Sequence, residues 1–158
     1  MPVFRYQFSV AAPLEAVDAF HHAPGALQKL TPPGIRMQVR LLEPLAERSV
    51  ASFVLWFGYI FPVPWRAVHH DVSATGFYDT QVEGPMQRWV HTHRFTALTA
   101  HTTLIQEHID YTHRPGWPGV GTRLLFSPLG LWLLFSFRKV ATRWQLRSLA
   151  PTHQNANS

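Results

Sequence analysis

The residues able to do chemistry gather in one stretch, Phe77 to Phe95, FYDTQVEGPMQRWVHTHRF. Two segments of alternating side chains flank Gly84-Pro85 and read as a β-hairpin, because proline cannot donate to a strand ladder and glycine tolerates positive φ. Alternation places Trp89, His91, His93 and Phe95 on one face of the second strand, with Val90, Thr92, Arg94 and Thr96 on the other. Register decides what meets the histidines. A five-residue loop sets Asp79 across from His93 and Gln81 across from His91; a four-residue loop sets Tyr78 and Thr80 there instead. On a later strand Ile105, Glu107, Ile109 and Tyr111 share the inward face, and a symmetric turn about Ala100 puts Glu107 beside His93 and Tyr111 near Trp89. Asp79, Gln81, His91, His93, Glu107 and Tyr111 then form a polar patch in an aromatic wall.

Such a patch has three uses. A carboxylate beside a histidine in an apolar cavity has its protonation displaced toward neutrality, which suits enolisation, dehydration or cyclisation of a carbonyl compound; His91, His93, Asp79 and Glu107 would be the catalytic set. His91-x-His93 with Glu107 or Asp79 also supplies the ligand types of a zinc site. Thirdly, the same groups can orient the polar end of a ligand whose body lies against Trp and Phe. Set against all three, buried carboxylates and histidines can simply satisfy one another and fix strand register. Orientation and mutual satisfaction account for these residue types with the fewest further requirements, so no metal and no cofactor is expected. His69 and His70 are neighbours on a strand, point to opposite faces and cannot act as a pair; they read as surface and edge. His21-His22 reads as the end of a helix, where a cation-capable residue suits the dipole. Trp56, Phe57, Tyr59 and Phe61 cluster at a turn and read as core or as a lid, and Trp117 is open to the same two readings.

The elements that must hold this patch come next. The 158 residues are 46% hydrophobic and only 15% charged, which describes a single apolar-rich globular domain, 1–150, and a short polar tail, 151–158, expected to be disordered. Zero cysteines exclude disulfides and thiolate metal sites. The start, MPVFRYQFSV, has no long apolar core behind a basic segment, so no signal peptide is expected and a cytoplasmic location is the default. Net charge is +5, and after Asp110 there is no acidic residue while Arg114, Arg123, Arg138, Lys139, Arg143 and Arg147 follow. These cations lack the dense runs and interleaved stacking aromatics of a nucleic-acid groove, so no nucleic-acid partner is expected.

Val3 to Val10 alternates as a strand; Pro13 opens a helix to about His22, and a second short helix runs from Pro24 to Leu30. Period-two strands follow at Ile35–Leu42, Val50–Phe57, Pro64–Val72, Phe77–Glu83, Trp89–Ala97 and Thr102–Thr112, with connections short enough for an antiparallel meander. After the Pro/Gly-rich His113–Gly121, Ser127-Pro128 caps a long helix to about Leu149. Its Leu129, Leu133, Phe137, Val140 and Trp144 form one apolar stripe with Arg138, Thr142 and Gln145 opposite, while Leu131 and Phe135 are apolar on that opposite face. Left exposed, those two would make the helix a dimer seam. The 14 apolar residues from Leu124 to Phe137 are too few to span a bilayer, which takes about 20. The whole is α+β: a curved seven-stranded antiparallel sheet wrapped around the last helix, with room left between them.

This order of elements resembles the helix-grip fold of the START-like superfamily, also called SRPBCC, which includes Bet v 1-type allergens, polyketide cyclase/dehydrase-like proteins and lipid-transfer domains. More narrowly, Leu30-Thr31-Pro32-Pro33, Pro64-Trp65-Arg66, Phe77-x-Asp79-x-Gln81-x-x-Gly84-Pro85-x-x-x-Trp89-x-His91-x-His93-x-Phe95 and Phe137-Arg138 are similar to a bacterial ligand-binding subgroup, with Met86 standing where an aromatic is expected. The resemblance implies a cavity for a small hydrophobic or amphipathic molecule. Its contacts are expected from Gln81, Trp89, His91, His93, Phe95, Glu107, Tyr111, Trp65, Phe137 and Trp144. The alternative it implies is a polyketide cyclase- or dehydratase-like enzyme. Monomer and homodimer both fit, as does peripheral contact with a membrane surface.

Overall fold

The computed structural model describes residues 2–149. The chain runs β1 (Val3–Val10), α1 (Leu14–His22), α2 (Ala26–Lys29), β2 (Ile35–Leu42), β3 (Val50–Phe57), β4 (Phe61–Ser73), β5 (Gly76–Glu83), β6 (Met86–Thr99) and β7 (Thr102–His113). A 3-10 turn at Trp117–Gly119 leads into α3 (Val120–Leu125) and then α4 (Pro128–Leu149). The tail expected at 151–158 lies outside the described residues.

All seven strands form one antiparallel sheet in the order β1-β7-β6-β5-β4-β3-β2, the expected meander with the first strand closing beside the last. Its curvature has local causes. Register shifts interrupt β2/β3 at Val39/Leu41, β4/β5 at Arg66/Ala67 and His70/Ser73, and β6/β7 at Met86/Arg88 and Ala97/Thr99; an extra residue on one strand bends it and adds twist. β4 and β6 run longer than alternation alone indicates, 13 and 14 residues: β6 carries its ladder through bulges at both ends, and β4 starts earlier because Phe61–Val63 pair in unbroken register with Leu55–Phe57. Gly76 opens β5 opposite Arg94 with φ +137°, and a Cβ there would overlap the His93 carbonyl oxygen. Only glycine permits that approach.

The turn between β5 and β6 departs from both expected registers. Asp79 faces His91 and Phe77 faces His93, two residues away from the five-residue-loop pairing. The two strands part before the turn. Gln81 and Glu83 find their ladder partners on β4 (Ala67 and Arg66), while Arg88 and Trp89 find theirs on β7 (Thr112 and Tyr111). Backbone groups satisfied on the outer neighbour need no tight hairpin. The turn about Ala100 behaves as expected, pairing His93 with Glu107 and Trp89 with Tyr111.

α4 begins as the sequence indicates, Ser127 Oγ accepting the Gly130 N–H at 3.1 Å. Its inward face is the reverse of the expected one. Leu131 and Phe135 are fully buried, with Thr142 and Leu146 buried below them, whereas Leu129, Leu133, Val140 and Trp144 are exposed and Phe137 is half-buried. The stripe of larger apolar count thus faces out, and no dimer seam is formed by Leu131 and Phe135. The inward side packs Leu131 and Phe135 into the apolar cluster on the concave sheet and brings Arg138 into the space beside its two carboxylates. Among the described residues no single helix is long and apolar enough to cross a membrane; a pair bent by 43° at residues 125–128 passes by length and composition alone.

Two apolar clusters fill the grip. One joins Phe53, Trp65, Trp89, Ile109, Tyr111, Phe126, Leu131 and Phe135; the other joins Phe8, Val10, Val17, Phe20, Phe95, Ile105 and Leu146 beneath α1. In urea unfolding, Phe135→Ala is expected to cost about 3–5 kcal/mol through lost burial and a residual cavity, and Val140→Ala less than about 0.5 kcal/mol. The opposite ranking would restore the expected stripe.

Candidate functional site

The site is built from two adjacent rungs of the sheet. His69 on β4, Asp79 on β5 and His91 on β6 stand side by side in one rung; Phe77, His93 and Glu107 on β5, β6 and β7 form the next. Since residues two apart on a strand share a face, both histidines of β6 point into the grip with a carboxylate arriving from each neighbouring strand. Glu107 Oε2 accepts a hydrogen bond from His91 Nε2 at 2.8 Å and lies 2.9 Å from His93 Nδ1, where alignment is too poor for a hydrogen bond and the contact is ionic. Across the rings, Asp79 Oδ2 is 3.6 Å from His91 Nδ1 and 3.7 Å from His93 Nε2. The two imidazoles are 4.0 Å apart between centroids, and Phe77 stacks on His93 at 4.3 Å.

All four side chains are at least 86% buried, the most exposed being Asp79 at 14%, so their charges must be compensated locally. Burial works to lower the pKa of His93, but the charge of Glu107 and the closeness of both carboxylates outweigh it and push the pKa up to about 9. Burial likewise works to raise Glu107 and Asp79, and the adjacent imidazoles, His93 foremost, hold both carboxyls below the usual carboxylate range. His91 is held below its ordinary value by burial and by the charge on His93, so a neutral ring donates Nε2–H to Glu107. A second cation, Arg138 of α4, stands near both carboxylates and lies 5.2 Å over the Phe135 ring; its buried Nε has no hydrogen-bond partner, and burial draws its pKa down.

Beside this cluster a cavity of about 670 Å³ opens between the concave sheet, α2 and the first half of α4. Phe53, Leu55, Phe57, Trp65, Trp89, Leu134 and Phe135 supply apolar walls, and His21, His69, Asp79, His91, His93 and Arg138 supply polar groups. Of the residues the sequence nominates, Trp65, Trp89, Asp79, His91 and His93 reach this lining. Glu107 lies behind the two imidazoles rather than on the wall. Phe95 packs under α1 and Tyr111 belongs to the core beside Trp89. Gln81 turns back to the β5–β6 connection, its Oε1 accepting the Met86 N–H at 3.1 Å. Phe137 and Trp144 fall outside the cavity with the reversed helix face, Trp144 being 66% exposed. Met86, where an aromatic is expected, is buried in the core.

Three lining residues escape the sequence reading. His69 shares strand parity with Trp65 and Ala67, which marks it as inward rather than edge. Arg138 lies at helical spacing from Leu131 and Phe135. His21 donates Nδ1–H to Val17 O at 2.8 Å, packs on Phe95 at 4.6 Å, and is lowered to about pKa 4 by burial and by His93. Its spacing from Val17 gives the inward face, which its place in the last turn of α1 does not reveal. Asp79, His91 and His93 each present one donor atom, all within 4.8 Å of one another, the one such group among the described residues able to hold a metal ion.

No protein-family model matches the chain, and no curated protein matches it. Solved structures do. The Zhui aromatase/cyclase of Streptomyces sp. R1128 superposes with a TM-score of 0.76 at 15% identity, over 98% of this chain and 99% of that one. A START superfamily protein of Mycobacterium smegmatis follows at 0.66 and 13%, over 94% and 99%. Norcoclaurine synthase of Thalictrum flavum, in complex with dopamine and hydroxybenzaldehyde, gives 0.69 and 14%, over 98% and 88%. The chain shares the helix-grip fold of these structures. At these identities the likeness is one of fold, which hosts both ligand-binding proteins and cyclases.

Two protonation midpoints follow for EDTA-treated protein followed by histidine NMR: near 9 for His93 and near 4 for His21. The raised His93 contributes stability that is complete below about pH 6.5 and lost as pH rises through 9; the lowered His21 costs stability as pH falls from 6.5 toward 4. Unfolding free energy should therefore peak near pH 6.5, and Glu107→Gln should bring the His93 midpoint down.

Proposed function

We propose that this protein binds a small, predominantly apolar molecule carrying one polar end. The observation that carries the reading is the cavity of about 670 Å³, with aromatic and aliphatic walls and its titratable groups collected against one side of the sheet. That volume is within the range of sites that enclose a drug-sized ligand. Arg138 favours an oxygen acceptor at the polar end, because its buried Nε is left without a partner. His21 and His69, both held neutral by burial first, add ring nitrogens that can donate or accept.

A second reading, a cyclase- or dehydratase-like enzyme, is favoured by a separate observation: two imidazoles lie 4.0 Å apart in one cavity wall with protonation displaced in opposite directions, His93 up and His91 down. Such a pair supplies an acid and a base together. Asp79, His91 and His93 would meet the substrate, and Glu107, set behind the rings, would position them.

Organic extracts of freshly purified protein, analysed by mass spectrometry, are expected to contain one stoichiometric apolar compound. Filling the cavity with Leu134→Trp should remove it and weaken uptake of a fluorescent apolar probe at least tenfold with the fold intact. Retention of the compound by that variant would sink the reading. For a catalyst, His93→Gln would still take up the compound yet leave it unchanged.

A further inference from the structure

We infer that Asp79, His91 and His93 form a binding site for one divalent first-row transition-metal ion, of the class to which Zn2+ and Co2+ belong. The inference goes beyond the small-molecule reading and stands without it. Four features point to it. The donor set, two imidazoles and one carboxylate, is that of open three-ligand metal centres. The donors already converge: Asp79 Oδ2 is 3.6 Å from His91 Nδ1 and 3.7 Å from His93 Nε2, and the three donor atoms lie within 4.8 Å of one another. Bonds of about 2.0–2.1 Å at tetrahedral angles put ligand atoms about 3.3 Å apart, so the two Asp79 gaps need to close by only a few tenths of an ångström and the gap between the two imidazole nitrogens by at most about 1.5 Å, within reach of a side-chain rotation.

The third feature is the far side of both rings. Each histidine that faces Asp79 with one nitrogen faces Glu107 with the other, His91 through Nε2 at 2.8 Å and His93 through Nδ1 at 2.9 Å. A carboxylate behind a metal-ligating imidazole fixes its orientation, keeps its N–H on that side and leaves the lone pair toward the ion. Glu107 does this for His91 through a hydrogen bond, and beside His93 Nδ1 it stands at contact distance, where a small turn of the ring would complete a second. Any proton on the nitrogen facing Asp79 leaves to solvent when the ion binds.

Lastly, Asp79, His91 and His93 all line the cavity whereas Glu107 does not, so coordination positions left by three protein ligands open toward the enclosed space. With Asp79 and Glu107 negative, Arg138 positive and both imidazoles neutral, a divalent ion gives the cluster one net positive charge. An anionic or carbonyl oxygen is the donor that would complete the shell; this last step rests on the small-molecule reading, while the metal site does not.

The test uses the full chain without a polyhistidine tag, stripped with EDTA and titrated with CoCl2, then with ZnSO4 in competition. One equivalent is expected to bind with the intense visible bands of four- or five-coordinate Co2+, and one equivalent of Zn2+ should bleach them. Glu107→Gln should keep the stoichiometry with affinity 10- to 100-fold lower, and the His91→Gln/His93→Gln double variant should lose the bands. His22→Ala, which removes the exposed Asp18–His22 pair, should change nothing. The wild-type spectrum is decisive even where a variant fails to fold: a pale hexaaqua-like spectrum, or no saturable equivalent, overturns the site, as do bands that persist in a folded double variant. Ligand retained by a protein that binds no cobalt would overturn the metal site and leave the small-molecule reading in place.

Discussion

The rest of the structure answers to one buried charge, the carboxylate of Glu107. It is 6% exposed and stands on β7 between the fully buried Ile105 and Ile109, where an uncompensated anion would cost several kcal/mol. Compensation comes from two imidazoles of the next strand, both reaching the same oxygen. That requirement sets more than a contact: it demands the β6/β7 register that pairs His93 with Glu107, and a slip by one residue would send both histidines to the outer face. A charge buried in this way selects one alignment of the longest hairpin in the fold.

From there the demand spreads to α4. The sheet contributes two anions to the grip, and the protonated His93 balances one of them. Arg138 adds a second positive charge within the field of both carboxylates, and it does so because the helix turns Leu131 and Phe135 inward. That orientation leaves Leu129, Leu133, Val140 and Trp144 in contact with water, about 25 cal/mol lost for each Å2 of apolar surface so exposed. Burial of Leu131 and Phe135 in the core and the placement of Arg138 in the field of the two carboxylates favour the same orientation of this helix.

The same balance explains which parts of the structure were legible in the sequence. Strand alternation in Val3–Val10, Val50–Phe57 and Thr102–His113, together with the Ser127-Pro128 cap, yields the element order and the shared face of His91, His93 and Glu107, because these are local properties of period and capping. The orientation of α4 is not local. A helix apolar on both sides of its first half has no strong preference of its own, and the face it buries is set by the sheet residues it packs against, some thirty to eighty residues earlier in the chain. The β5–β6 register escaped for a related reason: Gln81 and Trp89 pair with outer strands, and a reading confined to the hairpin cannot see those partners. His69 faces inward by its parity with Trp65 and Ala67, and His21 by its spacing from Val17, features that neither the adjacency of two histidines nor the helix dipole encodes.

Gly76 has a bearing on how this cavity can change. Its missing side chain lets the β5 backbone lie against the His93 carbonyl, three positions from Asp79. A methyl group there would act as a wedge, prising Asp79 from the imidazoles of β6 before it touched any of them. Diversification of the pocket is therefore channelled: residues on β3, β4 and α4 can vary in bulk and reshape the chamber, whereas the seam between β5 and β6 offers almost no room for trial.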